Sequence, residues 1–233
     1  MNADYLIIAR DPAIIPGVHH HCDEWCDYCP VTRRCLVFRC LTEFRRQHGR
    51  SDASIPFVNL EEAIAFTREL AAIEGTRTDE LDALAAAPPG QSGIETRDPL
   101  AATAWEYAVR AALFMMPAAR ALTTPRPGPA GPGPVHVVLW YHLRIYMVTF
   151  RALVARERGN GCADRVEHAT GCAKLALVSV QRSRAALQAL RGGADDGEIQ
   201  SLISLLETLE QGVDERFPHA RAFVRVGLDC PVA

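Results

Sequence analysis

The chain has 233 residues, nearly half of them apolar, and a net charge of -3. That is enough apolar material for a sizeable core, and a charge too near neutral to draw the whole protein to nucleic acid or an anionic membrane. No basic n-region precedes the short apolar patch Tyr5–Ala9, so a secretory leader is not expected, and the reading is a cytoplasmic protein.

Residues 1–21 read as an extended lead-in, because Pro12, Pro16 and Gly17 prevent any long helix. Residues 22–35 form a cysteine cluster. Pro30 can open a helix, and the apolar spacing from residue 36 predicts one over 32–48. Asn59 is a natural N-cap for a helix over 60–74, with Glu62 in capping-box position. Thr78 or Asp79 opens a short helix to Ala86, and 88–93 is a loop.

Asp98-Pro99 supplies a cap and a proline at the first helical position, opening a helix to Leu122 with Pro117 as a kink site. The Pro/Gly-rich stretch 124–134 is a stiff connector. Three more helices are expected over 135–158, 168–191 and 195–216, and an irregular tail follows from Phe217. The stretch 135–155 is apolar enough to consider as a membrane span. His136, His142, Arg144 and Arg151 argue instead for a core helix, and no membrane partner is expected.

No run of alternating β-branched residues occurs. The expected fold is therefore all-α. Four long helices after residue 98 form a bundle, with an N-terminal Cys-rich metal-binding segment and a helical hairpin packed on it. The expected division is 1–50 for the lead-in, metal module and basic helix, and 51–233 for the bundle.

Cys22, Cys26, Cys29 and Cys35 stand at C-x3-C-x2-C-x5-C spacing. Thiolates so close in sequence can converge on one metal through a short loop and a helix start, and a chain without an export signal gives no reason for a disulfide framework. Zinc held as a structural site is the leading expectation, with a [4Fe–4S] cluster as the alternative, since a proline follows Cys29. The first three cysteines share the spacing of radical-SAM enzymes. Cys35 can fill the fourth position, and no β/α barrel is expected, so that reading is set aside. His19, His20 and His21 can replace one thiolate, though a solvated run, or one that supports the ligands from behind, is the simpler expectation. Cys40 reads as a small core residue.

Arg33, Arg34, Arg39, Arg45, Arg46 and Arg50 would be the phosphate contacts of a nucleic-acid module. The acidic segment 61–82 offers them partners within the chain, and that pairing is the preferred expectation. Lys174, the single lysine, lies in the apolar run Cys172–Val180, so it should be partly buried and paired with a carboxylate. With Glu106 and His142, also set among apolar residues, it makes a candidate pocket. No Glu-x-x-His motif occurs, which disfavours a di-iron carboxylate site.

Trp25-Cys26, Thr32-x-Arg34-Cys35, Gly171-x-Ala173-Lys174-x-Ala176-Leu177 and Arg182-Ser183 together resemble a family of uncharacterised bacterial helical proteins. The resemblance implies a helical fold and carries no catalytic residues. Function is thus expected to be binding or regulatory, around a structural zinc. The alternatives are an iron–sulfur redox protein or sensor, and a small-substrate enzyme using Glu106, His142 and Lys174. No partner is specified, and homo-oligomer formation stays open.

Overall fold

A computed structural model describes residues 2–50, 57–75, 98–121, 131–158, 163–192 and 195–230. The expected short helix to Ala86, the loop at 88–93 and most of the connector at 124–134 lie outside these residues. Among the described residues there are seven α-helices and no strand, apart from an isolated bridge between Val226 and Cys230. The all-α expectation is met.

The chain divides into two units, Met1–Gln91 with Arg225–Ala233, and Ser92–Val224. The division falls later than the expected boundary at residue 50.

The first unit contains α1 (Ala3–Ala9), α2 (Leu36–Gln47) and α3 (Leu60–Ile73). The lead-in is therefore not wholly extended. Asn2 accepts a hydrogen bond from the Asp4 amide and starts a seven-residue helix, which ends before Pro12. The helix persists because Tyr5 buries its ring against Phe66 and joins a core of Leu36, Cys40, Phe44, Phe66 and Leu70. Tertiary burial, more than propensity, stabilises so short a helix. The same burial holds α3 with the N-terminal elements. Cys40 is fully buried in this core, as expected of a small apolar residue. Asn59 caps α3 by accepting from the Glu62 amide, while the Glu62 carboxylate takes the Val58 N–H and both arms of Arg50.

Residues Thr32–Arg34 form a 3-10 turn rather than the first turn of α2, which begins after Cys35. The expected pairing of the arginines with the acidic segment holds for Arg50 with Glu62. Arg39 pairs with Asp11 instead, Arg46 with Glu43 on its own helix, and Arg34 donates to the Ala13 carbonyl. Each takes the acceptor that folding places within reach, so opposite sequence charge alone does not assign partners.

The second unit contains α4 (Pro99–Ala121), α5 (Pro134–Glu157), α6 (Ala163–Ala189) and α7 (Asp196–Arg216). Asp98 caps α4 by accepting the Leu100 amide, with Pro99 at the first helical position and Pro117 within the helix. Each helix packs on its chain neighbours, and α7 returns against α4, so the four close into a bundle. The interior is built from Tyr107, Val138, Tyr141, Ile145, Val180, Leu202, Leu206 and Leu209, all fully buried. α6 buries Cys172, Ala173, Leu175, Ala176, Leu177, Ser179 and Val180, the all-round burial its composition implies. α5 is long and apolar enough, by length and composition, to cross a membrane; here it packs on α4 and α6.

Candidate metal centre

The four cysteines of the cluster come from one short stretch folded into successive tight turns. Ile15 donates its amide to the Arg34 carbonyl, tying the start of the stretch to its end. Cys22 follows a turn in which the His20 amide bonds the Gly17 carbonyl. Glu24 takes a left-handed backbone (φ 55°), which reverses the chain so that Cys26 can open a 3-10 turn that ends at Cys29. Cys35 ends the second 3-10 turn and stands at the N-cap of α2.

Cys22, Cys26, Cys29 and Cys35 all line one cavity of about 20 Å³, with Val18, Trp25, Val31, Phe38 and Leu228 as its apolar walls. None of the four is in a disulfide. The C-terminal turn covers one side: Gly227 is left-handed, so a side chain there would be strained, and its Cβ would press on Ile15 at 3.1 Å and Val18 at 3.2 Å. Arg225, nearly buried, holds that turn through the Asp229 carboxylate.

Burial pushes three of the thiols, those of Cys22, Cys26 and Cys35, up. Cys22 reaches about 11, through burial opposed by the Glu24 amide. Cys26 reaches about 12, through burial and then the neighbouring Cys22, Cys35 and Cys29 sulfurs. Cys35 is also raised by burial, while the Phe38 and Val37 amides at the start of α2 pull it back. Such donors favour a thiolate sulfur at a helix N-terminus. Without a cation the Cys22, Cys26 and Cys35 thiols hold their protons; a bound metal would displace them.

The histidine run is not simply solvated. His19 and His20 both direct Nε2 at Oε2 of Glu74, at 3.2 and 3.6 Å. Glu74 sits at about 2: burial raises it, and the hydrogen bonds from His19 and His20 more than reverse that. Glu74 escapes a reading of the sequence because 54 residues of numbering separate it from His20; the available signal is its position just before Gly75, at the end of α3.

The structure does not assemble the expected pocket of Glu106, His142 and Lys174. Glu106 is more than half exposed and pairs with Arg110 one turn along α4. His142 bonds the Leu139 carbonyl of its own helix. Lys174 is half-buried and donates to the backbone carbonyl of Arg221 at 2.9 Å. No hydrogen bond or ion pair joins any two of the three. Tyr107, Tyr141 and Ala173 beside them face the bundle core, whereas Trp105, Trp140 and Leu143 lie at the surface with these polar side chains. A bundle cavity of about 460 Å³ is lined by Leu113, Phe114, Met115, Pro117, Ala118, Val135, Leu190, Asp195 and Ile199, with none of the three in it.

No protein-family model, curated protein or solved structure matches the chain.

Proposed function

We propose that this is an iron–sulfur protein, in which Cys22, Cys26, Cys29 and Cys35 hold a [4Fe–4S] cluster that serves electron transfer or redox sensing. The observation that carries the reading is that four cysteines outside any disulfide line one cavity, three of their thiols raised by burial. Four thiolates complete the ligation of such a cluster and leave no iron open to a substrate, which points to an electron-handling role.

Spacing favours the cluster over zinc. Thiolates bound to one zinc at about 2.3 Å stand about 3.8 Å apart. Here the four sulfurs do not form a group with all atoms within 4.8 Å of one another among the described residues. A cluster separates its ligands with its own irons and sulfides. The chain's residues contribute the rest. Val18, Trp25, Val31, Phe38 and Leu228 exclude water, and the Glu24, Val37 and Phe38 amides stabilise negative charge on sulfur.

The deciding measurement is iron and acid-labile sulfide in anaerobically purified protein. The expected result is a brown protein with about four of each per chain, lost in Cys26→Ala. A colourless protein carrying one zinc would overturn the cluster and restore the structural zinc site.

A further inference from the structure

We propose that His19, His20 and Glu74 form a second metal site, for a single divalent first-row transition ion. Their donor atoms all lie within 4.8 Å of one another. Both Nε2 atoms approach the same carboxylate oxygen, at 3.2 and 3.6 Å. Donors sharing one ion at about 2.1 Å stand about 3.0 Å apart at octahedral angles and about 3.4 Å at tetrahedral ones, so the three are close to a ligating arrangement. Two imidazoles and a carboxylate are the donor set suited to iron(II) or zinc, with remaining positions for water.

The backbone is shaped to present these groups. Adjacent residues normally diverge, yet the His19 and His20 rings meet edge to face with centroids 4.5 Å apart. The left-handed Gly17 turn allows this; a Cβ at Gly17 would press on His20 Nδ1 at 3.3 Å. Glu74 occupies the C-cap of α3, where the helix dipole disfavours a carboxylate and favours a cation. The side chains of His19 and Glu74 are 17% and 21% exposed, while that of His20 is 52% exposed, so the site is held on one side and open to solvent on the other. His19 also lines the thiol cavity, and its Nδ1 is buried with no hydrogen-bond partner. One imidazole therefore borders both centres.

The test is titration of the purified, cysteine-loaded protein with Co2+, after its iron, sulfide and zinc have been counted. One equivalent should bind, giving weak d–d absorption without sulfur-to-cobalt charge transfer. Cobalt-edge X-ray absorption on the wild type should report imidazole and oxygen ligands. Glu74→Gln and His20→Gln should each weaken binding at least 10-fold while iron or zinc at the cysteines is retained. Absence of binding overturns the proposal, as do sulfur ligation of the cobalt and unchanged affinity in both variants. The cysteine metal count is read on the same sample, so failure of the cluster reading and failure of this site are told apart.

Discussion

The two units of this chain are stabilised in different ways. The bundle of α4 to α7 has a continuous apolar interior supplied by four helices of 21 to 27 residues. The N-terminal unit has a core centred on Tyr5, Phe44 and Phe66, and beside it a cavity whose walls include four thiols. A small core supplies little net stability once chain entropy is counted, so this unit is where a metal can decide folding. The comparison teaches that one chain can pair a unit with a continuous apolar interior and a unit whose smaller core borders a thiol-lined cavity.

The largest expected effect breaks the comparison on the metal side. If the cysteines hold a metal as proposed, removing it by chelation, or by Cys29→Ala, should remove a stabilisation on the order of 10 kcal/mol from the N-terminal unit. Hydrogen exchange should show amides around 15–50 losing protection while those of α5 and α6 keep theirs. Collapse of the whole helical signal in circular dichroism would show that the units are not separable in this way.

The converse test acts on the bundle. Leu206→Ala, at a fully buried position, should cost about 2–5 kcal/mol in denaturant unfolding. The metal content of the cysteine site should not change. A parallel loss of metal would deny the division.

Lys174 gives a smaller and sharper effect. With a carbonyl as its partner rather than a carboxylate, Lys174→Met should cost only about 1 kcal/mol, because no bare buried charge is left behind. Combined with Glu106→Gln, the effects should add to within about 0.5 kcal/mol. A strong rescue in the double variant would instead restore the paired lysine expected from the sequence.

The smallest effect is a pH dependence in the N-terminal unit. The Arg50 guanidinium and the Val58 amide hold the Glu62 carboxyl at about 2, below its ordinary value. A depressed folded-state pKa stabilises above the unfolded pKa and loses that contribution as pH falls through the folded one. The wild type should therefore lose more thermal stability than Glu62→Gln between about pH 4.5 and pH 2. Parallel melting curves across that range would remove the pair from the account.

Much of the bundle was legible. Asp98-Pro99, the glycines between helices and the all-round apolar run of α6 each act within a few residues, so local physics sets the elements. α1 was missed because its stability comes from Tyr5 meeting Phe66, a contact across 61 positions of numbering that no local pattern records.

The candidate centre divides along the same line. The sequence by itself determined that Cys22, Cys26, Cys29 and Cys35 can converge, because their spacing limits how far apart the chain can place them. It also determined the all-α class, through helical periodicity and the lack of alternating strands. Only the tertiary structure decided which polar groups meet. It brought Glu74 to His19 and His20, gave Lys174 a carbonyl, and left Glu106 and His142 with partners on their own helices. The reason is range: spacing constrains atoms a few bonds apart, whereas a side chain's partner depends on how distant helices pack and which acceptor then lies nearest.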